Sequence, residues 1–150
     1  MRNAIEALES LGAQIGLAGL GFDKDGVCGL IVGDDTEIFF YGEPDGEILR
    51  LSGIIGDIDD ERPALAQRLL ELNAGDGENG AAAFAVDPDT GEIMLVRVLT
   101  LSELSPESLL AAVEEFVVRV EYWTENLPHV AVKDEAAAQA LLPDAMIILG

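Results

Sequence analysis

Few residues in this chain could carry out chemistry, and their spacing narrows what that chemistry could be. Cys28 is the only cysteine and His129 the only histidine in 150 residues, so the chain cannot build an internal disulfide, a thiolate zinc cluster or a His-pair metal site. A Ser-His-Asp engine would depend on His129, which follows Pro128 beyond the last predicted helix, and no serine stands in a G-x-S-x-G elbow. Cys28 sits within the apolar run Val27–Val32, where a thiol is buried and inert rather than a nucleophile of low pKa. Gly75, Gly77 and Gly80 spell G-x-G-x-x-G, but the string follows a helix and enters a strand. That is the reverse of a dinucleotide site, and the intervening Asp76 and Glu78 would repel a pyrophosphate. Acidic turns at Asp23-x-Asp25-Gly26, Asp57-x-Asp59-Asp60 and Asp87-x-Asp89 invite a calcium reading. None completes a calcium-binding loop with its central Gly and closing bidentate Glu, and they read as turns and helix caps. With 29 Asp and Glu, carboxylates close in sequence carry no information about acid–base catalysis. The expectation is a protein that is not an enzyme and uses no cofactor or metal.

The 8 Lys and Arg against those 29 acids give a net charge of −21 and a pI near 4.1. Such a chain repels phosphate backbones and anionic bilayers, so nucleic acids and membranes are excluded as partners. Apolar residues make up 49% and mean hydropathy is +0.28, enough for a sizeable core. Met1-Arg2-Asn3-Ala4-Ile5-Glu6 runs straight into an amphipathic pattern, and no apolar run approaches the roughly 18–20 residues that span a bilayer. A cytoplasmic protein is expected.

The elements that position these residues follow from periodicity. Ile5, Leu8, Leu11 and Ile15 fall at helical spacing, and Gly16, Gly19 and Gly21 punctuate the exit into a short strand at Leu20–Asp23. Val27–Val32, Glu37–Tyr41 and Ile48–Ile55 read as strands of a meander joined by Asp25-Gly26, Asp34-Asp35 and Pro44-Asp45-Gly46 turns. Residues 62–73 return to helical spacing through Leu65, Leu69, Leu70 and Leu72. A hairpin follows, from Ala82–Val86 through Asp87-Pro88-Asp89-Thr90-Gly91 to Glu92–Leu99. Ser105-Pro106 then opens a long helix with Leu109, Val113, Phe116, Val117, Val120 and Trp123 on its apolar face. Pro128 is expected to end that helix. One domain over 1–127 and a C-terminal extension over 128–150, with a short helix at Asp134–Leu142 and an apolar end, is the predicted organisation. The fold class is α+β: an antiparallel twisted sheet of about five strands flanked by three helices, in the order α-β-β-β-α-β-β-α. The first and second helices cannot both fully cover the sheet face that the long helix covers in so small a domain, so at least one stripe is expected to be spare. Leu65, Leu69 and Leu72 are assigned to self-association, and the strand at Leu20–Phe22 is a candidate open edge.

The run Gly21-Phe22-Asp23-Lys24-Asp25-Gly26-Val27-Cys28-Gly29-Leu30-Ile31-Val32 resembles the first hairpin of class I type III secretion chaperones, the Tir-chaperone (CesT-like) family. Leu11-Gly12 in the first helix, Leu51-Ser52-Gly53-Ile54-Ile55-Gly56, the second helix through Leu72-Asn73, the Asp87–Glu92 turn and the helix reaching Trp123 follow in the family's order. The resemblance covers about residues 1–127. It implies an α+β homodimer in a bacterial cytoplasm that holds the N-terminal segment of a secreted effector without ATP, keeping it soluble and export-competent. Carried over by position, Leu8, Leu11, Ile15, Leu20 and Phe22 would line the effector groove, and Leu65, Leu69 and Leu72 would lie at the dimer contact. The YbjN-like bacterial proteins tolerate the same pattern, and with them the rival expectation of a small acidic regulatory or calcium-binding protein.

Overall fold

The computed structural model describes residues 1–58, 62–75 and 80–149, with side chains described as far as Leu127 in the last helix. The first helix, α1 (Ala4–Ile15), begins where Asn3 accepts the Glu6 N–H on its side chain at 2.9 Å and ends at Gly16 with φ 75. The Leu17 N–H then donates back to the Gly12 carbonyl at 2.8 Å. A Cβ on Gly12 would stand 2.6 Å from the Leu17 oxygen, which is why Leu11 is followed by glycine: the turn closes against bare backbone.

Strands β1 (Val27–Val32), β2 (Thr36–Tyr41) and β3 (Ile48–Asp57) form the meander, followed by helix α2 (Ala64–Asn73) and the hairpin of β4 (Ala82–Val86) and β5 (Glu92–Thr100). The sheet order is β1-β2-β3-β5-β4 with every pairing antiparallel, the α+β architecture expected from the sequence. After a short 3-10 turn (Leu101–Glu103), helix α3 (Pro106–Leu149) opens with Ser105 and Ser108 bonded reciprocally: the Ser108 N–H donates to Ser105 Oγ at 3.1 Å and the Ser105 N–H to Ser108 Oγ at 2.8 Å.

Helix α3 crosses the middle of one sheet face on two glycines. A Cβ on Gly53 would lie 2.6 Å from Val120 Cγ2, and one on Gly56 2.6 Å from Leu127 Cδ2. Residues three apart share a face only because a bulge between Ile54 and Gly56 shifts the register by one. Gly53 fixes the direction of its neighbours, so Leu49 and Leu51 of β3, Ile93, Leu95 and Leu99 of β5, Phe84 of β4, Ile38 and Phe40 of β2 and Cys28 and Leu30 of β1 face the helices and form the core.

Three features differ from the sequence expectation. All three helices share that one face: α3 touches β2, β3, α1 and α2, and α2 touches β4. Five strands at about 4.8 Å span roughly 20 Å, which matches three helices at about 8–10 Å separation, so no helix is spare. Leu20–Asp23 is not a strand. Asp23 Oδ1 takes the Asp25 and Val27 N–H groups at 2.8 and 3.0 Å, turning the chain before a ladder can form. Finally, the helix does not stop at Pro128, since its backbone stays helical to Leu149 and takes in the segment read as a separate short helix. One lost N–H and ring crowding at a proline kink or strain a helix without obliging it to end.

Candidate binding surface

Among the described residues every helix contact lies on one side, and no helix covers the opposite face of the sheet, where Ser52 at the centre is buried by its strand neighbours and the side chains around it are open. The central row of this face runs Gly29–Phe39–Ser52–Val96–Ala83 across the five strands, flanked by a row Val27–Tyr41–Arg50–Val98 and a row containing Ile31–Glu37 and Ile54–Met94–Ala85. Ile31 is 64% exposed, Val98 56% and Ile54 43%, while Phe39, Tyr41, Met94 and Val96 are half-buried. Glu37 and Arg50 are the only charged side chains in these three rows. The Arg50 guanidinium lies 5.0 Å over the Tyr41 ring, a cation–π contact that holds its charge flat against the face. In a chain of net charge −21, a sheet face this poor in acid and this rich in β-branched and aromatic side chains is a surface built to be covered.

The face is continuous with an open edge. Asp23 uses the outward carbonyl of Val27 as an acceptor at 2.8 Å as well as taking its N–H. Backbone direction alternates along a strand, so Gly29 and Ile31 also turn their N–H and C=O outward. Among the described residues only the Cys28 thiol approaches them, 4.0 Å from the Gly29 carbonyl. Burial pushes the Cys28 thiol up from its ordinary pKa, with a hydrogen bond from the Gly21 backbone opposing the shift and the Asp23 charge adding to it, so it stays a protonated core residue.

The residues assigned from sequence divide by burial. Leu8 and Leu11 are 1% and 0% exposed and belong to the core under the helices, not to a groove. Ile15 is exposed, while Leu20 and Phe22 are half-buried and pack against the core, Leu20 beside Gly12 and Phe22 beside Gly42. Leu20, with Gly12, Ala13, Gly16 and Leu17, lines a shallow depression of about 620 Å³. Leu65 and Leu69 are likewise core, and Leu72 packs partly buried against it. The exposed leucine of α2 is Leu70, at 68%. It lines, with Leu69, Phe84 and Val86, an apolar groove of about 240 Å³ between α2 and β4. Periodicity finds the apolar stripe of a helix but not which side faces the core, and the bare sheet face was missed because its residues read as ordinary strand interior. The signal was there in Ile38–Tyr41 and Ile93–Val96, where both alternating sets are apolar.

A larger depression of about 750 Å³ is lined, among the described residues, by α3, including Glu114, Glu115 and Arg119, and lacks the acid-poor character of the sheet face. Among the described residues no three His, Cys, Asp or Glu side chains come together to hold a metal. Asp87 Oδ1, like that of Asp23, accepts backbone N–H groups, from Asp89 at 2.8 Å and Thr90 at 3.4 Å, the use the turn reading assigned. Asp59, Asp60, Asp76, Glu78 and Gly77 lie outside the described residues, as does the side chain of His129. No helix among the described residues is long and apolar enough to cross a membrane.

The class this geometry defines is an open-faced α+β binding module, with a half-covered sheet and an accessible edge. The sequence matches the family model of the Tir chaperone protein (CesT) family over residues 6–124, and the chain belongs to that family. No curated protein matches it. Solved structures share the fold at low identity. The ExsC–ExsE complex matches at TM-score 0.69 with 21% identity, covering 81% of this chain and 91% of the other. The HopA1–SchA chaperone-effector complex matches at 0.62 with 20% identity, covering 80% and 91%. The heterodimeric ExoU–SpcU complex from the type III secretion system of Pseudomonas aeruginosa matches at 0.63 with 16% identity, covering 85% and 97%.

Proposed function

We propose that this protein is a non-catalytic, ATP-independent cytoplasmic chaperone that binds the N-terminal segment of a type III secreted effector and keeps it soluble and export-competent. The observation that carries the reading is the bare, acid-poor sheet face lying beside the open β1 edge. An extended client pairs with the outward N–H and C=O of Gly29 and Ile31 and lays alternate side chains onto Ile31, Phe39, Ile54 and Val98. Main-chain pairing asks little of client sequence, and apolar contacts supply affinity without strict side-chain reading. The net charge of −21 keeps the loaded complex soluble and speeds encounter with basic client segments. The family membership and the chaperone-effector and type III secretion complexes that share the fold support this reading.

Ile15, Leu20 and Phe22 extend the client surface around the start of β1. A second copy docks through the groove beside Leu70 and Val86, so self-association uses the predicted helix by its outer side rather than through Leu65 and Leu69. Residues 1–127 act as the chaperone domain. Residues 128–150 are an extension, consistent with a family match that ends at residue 124. The test is to tag the protein in its native bacterium and identify a stoichiometric partner by mass spectrometry. A secreted protein held through its N-terminal region, and lost on the double change Ile54→Asp and Val98→Asp, is the expected result. A partner retained by the folded double variant removes the sheet face as the site, and the absence of any partner overturns the reading.

A further inference from the structure

The two edges of this sheet are not equivalent, and one side chain makes the difference. At the mouth of the β4–β5 hairpin the Asp87 N–H donates to the Glu92 carbonyl at 2.9 Å. Alternation therefore turns Ala83 and Ala85 toward β5 and Ala82, Phe84 and Val86 outward. Phe84, the middle residue of the strand, is met there by the Asn73 amide. The Phe84 N–H donates to Asn73 Oδ1 at 2.8 Å, and Asn73 Nδ2 donates to the Phe84 carbonyl at 3.1 Å. A carboxamide carries the same donor and acceptor pair as a peptide unit, so Asn73 fills the place a neighbouring strand would take. It is the last residue of α2, a helix anchored in the core by Leu65 and Leu69. On β1 the equivalent cover sits at the start of the strand, on Val27 beside Asp23, and leaves the successive outward residues Gly29 and Ile31 open, whereas on β4 it sits at the middle and separates Ala82 from Val86.

We infer that Asn73 determines which edge of the sheet accepts an extended partner: it closes β4 and leaves strand addition to β1. The β1 half of this inference rests on the client reading above, whereas the closure of β4 does not. A sheet with both edges open would present two unlike edges to its own copies. Joining β1 of one copy to β4 of the next is a head-to-tail contact that does not close, and it grows into open-ended assemblies. Asn73 therefore also keeps the chain's own association finite.

The experiment uses the full chain without any client, so its outcome is independent of whether the chaperone reading is right. Asn73→Ala is expected to speed exchange of the Phe84 amide at least tenfold by NMR. In sedimentation it is expected to give species larger than wild type that grow with concentration. Adding Ile31→Pro removes an outward N–H from β1 without touching its ladder to β2, and is expected to return the assembly to wild-type size. A folded Asn73→Ala protein whose Phe84 amide exchanges as slowly as wild type, or whose size is unchanged, overturns the inference, and so does growth that persists with Ile31→Pro. Should Asn73→Ala not fold, Asn73→Ser replaces it, being too short to reach both groups of Phe84, and is held to the same outcomes.

Discussion

Replacing Gly53 with alanine puts the packing of the whole helical layer to a quantitative test. The added Cβ would lie 2.6 and 3.0 Å from the two Val120 methyls and 3.4 Å from Val120 Cβ. Val120 is 2% exposed and β-branched, so no rotamer change removes both methyls from the contact. Helix α3 or β3 must shift by about an ångström to restore ordinary van der Waals distance, and overpacking of this kind costs about 1–3 kcal/mol. Removing a strand glycine returns roughly 0.5–1 kcal/mol of backbone entropy, which leaves a net loss of about 1–2 kcal/mol. For a chain of this length each kcal/mol moves the melting temperature by about 2–4 °C, so a fall of about 2–8 °C is expected in a calorimetric or circular dichroism melt. The double change Gly53→Ala with Val120→Ala should be no less stable than Val120→Ala alone, because the clashing methyls are gone. A Gly53→Ala protein as stable as wild type would refute the seating of α3 on β3.

Other expectations separate core from surface. Leu69→Ala should cost about 2–5 kcal/mol in urea unfolding, whereas Leu70→Asp should change stability by no more than about 0.5 kcal/mol and yet dissociate the dimer in sedimentation; a dimer that survives moves the contact elsewhere. Ile54→Asp and Val98→Asp should each leave the melt unchanged and weaken client binding by about tenfold or more, since each buries a charge where about 1–2 kcal/mol of apolar contact stood. Millimolar calcium should leave the melting temperature where it is, and a rise of several degrees would revive the metal reading. Cys28, buried with its thiol pushed up, should resist iodoacetamide in native protein at neutral pH and react on unfolding; equal rates would contradict its burial.

How much was legible in the sequence depended on whether local chemistry or layer geometry decided the outcome. The cap at Ser105, the turn at Gly26 and the two hairpins were readable, because a Ser oxygen and a glycine with positive φ act within a few residues. The helix α2 was placed correctly, but its surface was not. Leu65, Leu69 and Leu70 all look alike in a periodic pattern, and only the width of the sheet beneath them decides that Leu65 and Leu69 point in while Leu70 points out. Leu8 and Leu11, assigned to the groove by position, are turned into the core by the same geometry. Leu20–Asp23 looked like a strand because alternation suits one, and the Asp23 turn that stops it involves backbone four residues on. The bare face itself required knowing that every helix packs on the opposite side, which is a property of topology and not of any window of sequence.

The central claim is that an extended client adds to β1 and lies on the bare sheet face. Amide hydrogen exchange measured residue by residue, with and without the partner that copurifies, tests it most directly. The account predicts that Gly29 and Ile31 become strongly protected in the complex while Phe84, already held by Asn73, changes little. Protection that falls instead on β4, or on no residue of the sheet, would contradict it.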